Sequence, residues 1–222
     1  MDDDEDGHGT HVAGVAAGKT YGVASKANLV AVRVLDANGD GRASGVLAGM
    51  QWAADAAESK NQTSKSVINI SLGGDYSDAF NKATAAIIDR GIVVVTAAGN
   101  EDANASGVSP ASTPNVITVG ATARNDTRAK FSNWGSALDV FAPGVGILSA
   151  WIGNATASMT ISGTSMACPH VAGLAAYFIA LDKNGSSTPA NIADKIKRVA
   201  TNGVVADTRN SLNSLAYNDD GY

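Results

Sequence analysis

Three short segments carry residue types that together could transfer an acyl group. The first is Gly7-His8-Gly9-Thr10-His11-Val12-Ala13-Gly14, two histidines in a run of small residues. A histidine between glycines lies where other backbone can approach closely, and imidazole titrates near neutral pH. The second is Ser162-Gly163-Thr164-Ser165-Met166-Ala167-Cys168-Pro169-His170-Val171-Ala172-Gly173. It sets Ser165 in the first turn of a helix, where unpaired N–H groups and positive potential favour an oxyanion. The third, Val93 to Asn100, reads as a strand ending in small residues and an amide.

Each segment alone has a plainer explanation. A serine at a helix start can be a cap, an asparagine after a strand is commonly a turn residue, and two histidines can be a metal pair. Zinc would need an HExxH arrangement or further His or Cys ligands, and only His170 could supply a third. Gly-Thr-Ser-Met-Ala also approaches the G-x-S-x-G elbow of α/β-hydrolases. That fold requires its acid and histidine after the serine, whereas here the histidine comes early and His170 lies on the serine's own helix.

The elements that would position these groups follow from the periodicity. Strands are predicted at Asn28–Val34, Val67–Leu72, Ile92–Ala97 and Val116–Ala121, and helices at Ser44–Glu58, Ser77–Arg90 and Thr164–Ala180. A last helix begins at the cap-and-proline pair Thr188-Pro189. Such alternation predicts parallel strands joined by crossover helices in a single three-layer α/β/α domain over residues 1–222. The 222 residues, 45% hydrophobic and 17% charged, suffice for a sizeable core. No apolar run is expected to reach the length of a transmembrane helix. The net charge of −5 stems from the acids at 2–6; the remaining 16 acids balance 16 bases, which argues against nucleic-acid binding. One cysteine, Cys168, excludes an internal disulfide. No signal peptide is read at the start, and six Asn-x-Ser/Thr sequons fit a secreted protein.

Taken together and in order, GHGTHVAG, SLGG at Ser71–Gly74, VVVTAAGN and SGTSMACPHVAG resemble the subtilisin-like serine proteases, specifically the proteinase K branch. LVAVRVLDANGDG, VGATARND, FSNWGSALDVFAPG and LAYN extend the resemblance over essentially the whole chain. It implies a subtilisin-like fold and a serine endopeptidase of broad specificity, with His8 as general base and Ser165 as nucleophile. Asn100 and the Ser165 backbone N–H would hold the oxyanion. Asn38, Gly39 and Gly41 on one side, and Ser71, Leu72 and Gly73 on the other, would hold an extended substrate as an added strand. Ala97, Ala98 and Gly99 would line the main specificity pocket. The resemblance further implies structural calcium, held by the Pro114 and Val116 carbonyls and the Asp139 carboxylate. It implies a secreted monomer acting on polypeptides, and an inhibitory pro-segment from a longer precursor.

Asp36-Ala37-Asn38-Gly39-Asp40-Gly41 imitates an EF-hand start, but Leu47 stands where a bidentate glutamate is required, so calcium is not expected there. In subtilisin the catalytic aspartate precedes the histidine by roughly thirty residues; here seven residues precede His8. Asp2, Asp3, Asp4, Glu5 and Asp6 run directly into the His8 helix and are not expected to orient its ring. The expectation is therefore a sheet lacking its first strand or strands, with a competing reading as a non-catalytic fragment that binds peptides. Cys168, one helical turn from Ser165, is read as a buried small hydrophobe that could confer sensitivity to thiol reagents.

Overall fold

The computed structural model describes residues 4–219. In chain order it contains α1 (His8–Ala17), α2 (Ala43–Ser59), β1 (Val67–Ile70), β2 (Gly74–Asp75), α3 (Asp78–Asp89), β3 (Val93–Ala97), β4 (Val108–Ser109), β5 (Ile117–Thr122) and β6 (Val140–Pro143). A hairpin of β7 (Ile147–Ala150) and β8 (Ser158–Ile161) precedes α4 (Thr164–Leu181), α5 (Pro189–Val199), β9 (Thr201–Asn202) and β10 (Ser214–Leu215). The main sheet has the order β1-β3-β5-β6-β10-β9. Every pairing in it is parallel except β10 with β9.

β3 shows why this is a three-layer fold. Val93, Val95 and Ala97 join a cluster with Ala167, Val171, Leu174 and Phe178 of α4 and Ile192 and Ile196 of α5. Val94, with Ile92 just before the strand, joins Val46, Met50 and Ala54 of α2 and Phe80, Ile87 and Ile88 of α3. Successive side chains point to opposite faces, and both faces are covered, so the strand is apolar but for Thr96, whose buried hydroxyl donates to the Ile70 carbonyl at 3.2 Å. Two helix starts match their sequence signals. Ser77 Oγ accepts from the Phe80 N–H at 3.4 Å, and Thr188 Oγ1 from the Asn191 N–H at 3.2 Å. At α2 the expected Ser44 cap is not formed: the helix begins at Ala43, so Ser44 lies within it, and Arg42 takes the cap position without a side-chain hydrogen bond.

Two further expectations need correction. Asn28–Val34 lies outside any β-ladder among the described residues; Leu29 is 55% and Val30 63% exposed. Val34 packs against the α2–α3 cluster. The alternating β-branched pattern favours a strand, but a strand is completed by a hydrogen-bonding neighbour, and no strand pairs with this segment among the described residues. β1 is consequently an edge strand of the main sheet. Second, α4 with its 18 residues is long and apolar enough to cross a membrane by length and composition. Here it is the central core helix, with Met166, Ala167, Cys168, Val171 and Ala175 at 1% exposure or less.

Candidate active site

Ser165 occupies the second position of α4, behind Gly163 at the cap. The first helical N–H groups have no partner within the helix, which leaves the Ser165 N–H directed outward from the helix start. The Ser165 hydroxyl donates to the Ser71 carbonyl at 3.0 Å, and the Ser71 hydroxyl donates to the Ser165 carbonyl at 2.9 Å. Ser71 follows directly on β1, so Ser165 is moored to the C-terminal end of that strand.

Asn100, exposed just after β3, has its amide oriented by Thr164. Asn100 Oδ1 accepts from the Thr164 N–H at 2.8 Å and from its hydroxyl at 3.0 Å, while Thr164 Oγ1 accepts from the Gly99 N–H at 3.2 Å. With the oxygen engaged, the Asn100 NH2 group remains as an outward donor at the start of α4. Thr164 is fully buried. Sequence reasoning passed over it, since nothing but its place beside Ser165 marks it.

His8 opens α1, and the helix N-terminus is secured by acids that were not expected to orient its ring. Asp4 Oδ1 accepts from the Gly7 N–H at 2.8 Å, and Asp4 Oδ2 from the Thr10 N–H and hydroxyl, both at 2.7 Å. Asp6 Oδ1 accepts from the His8 backbone N–H at 3.0 Å. Burial raises the Asp4 carboxyl, but these hydrogen bonds outweigh it and hold the group below its ordinary value. Asp2 and Asp3 lie outside the described residues. Gly7 adopts φ +102°, and a Cβ there would come within 2.6 Å of Trp151, so glycine is required where the chain enters α1. Burial lowers the His8 imidazole despite the opposing charges of Asp6 and Asp4, which keeps it neutral and able to accept a proton at pH 7. Neither ring nitrogen of His8 has a hydrogen-bond partner among the described residues.

His11 proves to be a fastener. Its Nε2–H faces the Ile147 carbonyl at 3.0 Å and the Met159 carbonyl at 3.2 Å, and the Ser149 hydroxyl donates to the His11 carbonyl at 2.9 Å. The fully buried ring thus pins α1 to the β7–β8 hairpin. On its other side α1 packs against α4, where Gly173 lets the helices close; a Cβ there would lie 2.6 Å from the Ala16 carbonyl. Among the described residues no group of three or more His, Cys, Asp or Glu could hold a metal.

The remaining candidates fall as follows. Gly73 leads into β2, which pairs with β4, and Leu72 packs against the α2–α3 cluster. Asn38, Gly39 and Gly41 belong to an exposed turn in which Asp36 Oδ1 accepts from the Asn38 and Asp40 N–H groups at 2.9 and 3.1 Å. Ala97 and Ala98 are buried, and Gly99 accepts from the Asn133 N–H at 3.0 Å. Pro114, Val116 and Asp139 line one cavity of about 350 Å³. Asp139 Oδ2 accepts from the Thr118 N–H at 2.9 Å, and burial pushes this carboxyl up despite Thr118 and Lys197. Cys168 is fully buried, its thiol donates to Asn69 Oδ1 at 3.2 Å, and burial pushes it up to about 12. A neutral thiol out of solvent is inert, which removes the expected sensitivity to thiol reagents in the folded state.

A parallel α/β/α fold with Ser165 at the start of α4, Asn100 hydrogen-bonded to the neighbouring Thr164 and His8 at the start of α1 carries the residue types of a serine hydrolase, the hydrogen bonds joining Asn100 to the start of α4 and leaving His8 separate. Comparison with known proteins makes this specific. The Peptidase S8 profile, the subtilase family, matches residues 1–216. The chain is 77% identical over its whole length to Subtilisin-like protease 3 of Pseudogymnoascus destructans, covering 55% of that protein. It is 54% identical to Alkaline protease 1 of Aspergillus clavatus, over 96% of this chain and 52% of the relative. A crystal structure of a cold adapted subtilisin-like serine proteinase superposes with a TM-score of 0.89 at 46% identity, over 97% of this chain and 76% of that one. The chain belongs to the subtilase family of subtilisin-like serine proteases. It spans about half the length of the curated relatives it matches.

Proposed function

We propose that this chain carries the catalytic serine of a secreted endopeptidase that hydrolyses polypeptides with broad specificity through an acyl-enzyme. The observation that supports this best is the tethering of Asn100 Oδ1 by Thr164, which leaves an amide donor and the Ser165 N–H together at the start of α4. Ser165 Oγ leaves the Ser71 carbonyl and attacks the peptide carbonyl carbon while His8 takes its proton. The Ser165 N–H and the Asn100 amide stabilise the oxyanion, and His8 passes the proton to the departing amine. Water, activated by His8, then releases the acyl group and restores the serine. Asn38–Gly41 and Ser71–Gly73 form the rims for an extended peptide, with Ala97, Ala98 and Gly99 behind the pocket for its principal side chain. The Pro114 and Val116 carbonyls and the Asp139 carboxylate form a hard-oxygen donor set suited to a structural calcium ion.

The His8 ring, without a hydrogen-bond partner among the described residues, favours a second reading, a chain that binds peptides but turns over slowly for want of a carboxylate to orient its base. One experiment separates the two. The folded protein is treated with a fluorophosphonate, the adduct is mapped by mass spectrometry, and cleavage of a chromogenic peptide is followed. Labelling at Ser165 with turnover supports the endopeptidase. Labelling without turnover supports the second reading, and labelling at another serine overturns the assignment of Ser165.

A further inference from the structure

Lys197, in the last turn of α5, reaches into the cavity lined by Pro114, Asn115, Val116 and Asp139. Its ammonium lies 3.5 Å from Asp139 Oδ1 and 4.0 Å from Asp194 Oδ1, one helical turn earlier. The two carboxylates differ in setting: the Asp139 side chain is 25% exposed and that of Asp194 is 80% exposed. Asp139 Oδ2 is tied to the Thr118 N–H of β5, so Oδ1 is the oxygen offered to the cavity, and a tethered cation already faces it.

We propose that Lys197 is the resident cation of this cavity, and that a divalent ion reaches Asp139 only by displacing its ammonium. The inference rests on the calcium reading of Pro114, Val116 and Asp139 given above. A largely enclosed carboxylate needs a counter-charge to stay ionised, and the lysine supplies one without any ion from solution. Because the ammonium is attached to the same chain, its effective concentration is that of an intramolecular ligand, and free calcium must compete with it. A divalent ion on Asp139 Oδ1 would lie beside the ammonium, and like-charge repulsion would expel the lysine. The flexible stem of Lys197, 38% exposed, permits that withdrawal toward solvent. The cavity therefore has two exclusive occupants, and Lys197 lowers its calcium affinity.

The test is calorimetric titration of calcium into the full chain, paired with thermal melts with and without calcium. The proteins are the unaltered chain, Lys197→Met, Lys197→Gln as a second neutral variant, Asp139→Asn, and the Lys197→Met/Asp139→Asn pair. Lys197→Met and Lys197→Gln are expected to bind calcium at least tenfold more tightly than the unaltered protein. They should melt at lower temperature without calcium and recover with it, and both variants lacking Asp139 should lose binding. Equal affinity with and without the lysine would overturn the competition while leaving the calcium site standing. Absence of binding in every protein would overturn the calcium site and the competition together.

Discussion

Ser71 and Ser165 exchange hydrogen bonds, each hydroxyl donating to the other's carbonyl, at 2.9 and 3.0 Å. The reason lies in Pro169, buried within α4. Residue 169 should donate its N–H to the carbonyl of residue 165, but proline has none, so the Ser165 carbonyl is left without its helical partner. The Ser71 hydroxyl replaces that donor and in doing so moors the end of β1 to Ser165. Ser71→Ala should destabilise the fold by about 1–3 kcal/mol, the cost of an unsatisfied polar group in a partly buried site. Pro169→Ala would return an N–H to that carbonyl, so in the Ser71→Ala background it should recover part of the loss. A denaturant-unfolding cycle checks this, and a Pro169→Ala effect of the same size in both backgrounds would disprove the coupling.

Thr164 orients Asn100, the oxyanion donor of the proposed mechanism, from behind. Removing such a donor costs subtilisin itself about 10²–10³ in kcat, and Asn100→Ala is expected to fall in that range. Thr164→Val removes one of the two hydrogen bonds that orient Asn100 while keeping the backbone one. A loss of about tenfold is expected, equivalent to one hydrogen bond of ~1.4 kcal/mol. The rate of Ser165 acylation by a fluorophosphonate measures both variants, and a rate unchanged in Thr164→Val would show that the hydroxyl does not position the amide.

Asp4 should be worth about 1–2 kcal/mol to the start of α1, the range for a lost helix cap. Its pKa is lowered in the fold, so its contribution is complete above its ordinary value of 3.8 and fades as pH falls through the lowered one. Asp4→Ala is expected to melt several degrees lower at pH 7. The gap between Asp4→Ala and the unaltered protein should shrink as pH falls below the ordinary value of 3.8. A constant gap across that range would mean the carboxylate's charge is not what caps the helix.

His8, His11 and His170 all have lowered pKa values, in each case chiefly through burial. The unfolded chain therefore binds more protons than the native one, and stability rises with pH. The contribution is fully present above the ordinary value of 6.5 and is lost as pH falls through the lowered values. Melting temperature should drop steadily from about pH 7 toward pH 5. His11→Gln should flatten part of that slope, because the His11 Nε2–H already faces the Ile147 and Met159 carbonyls while its Nδ1 is buried without a hydrogen-bond partner, so a second proton there would go unpaired. A melting temperature independent of pH across this interval would exclude the linkage.

The elements written in local pattern are legible in the chain itself. The buried run of β3, the Ser77 and Thr188 caps and the small-residue helix α4 each depend on neighbours within a few positions, and each takes the form its pattern dictates. The motifs around His8, Asn100 and Ser165 name the chemistry because the types and order of their residues are unusual together. What tertiary structure decided was partnership. Asn28–Val34 has a strand's composition yet no ladder among the described residues, since pairing is a property of two segments and not of one. Asp4 became a cap, His11 a fastener between α1 and a hairpin more than a hundred residues away, and Thr164 the orienting group for Asn100. Lys197 faces Asp139 across 58 positions because α5 packs over the sheet. Local propensity and period act over a turn or two of chain, whereas these contacts exist only where packing of the apolar faces brings distant polar groups within hydrogen-bonding reach.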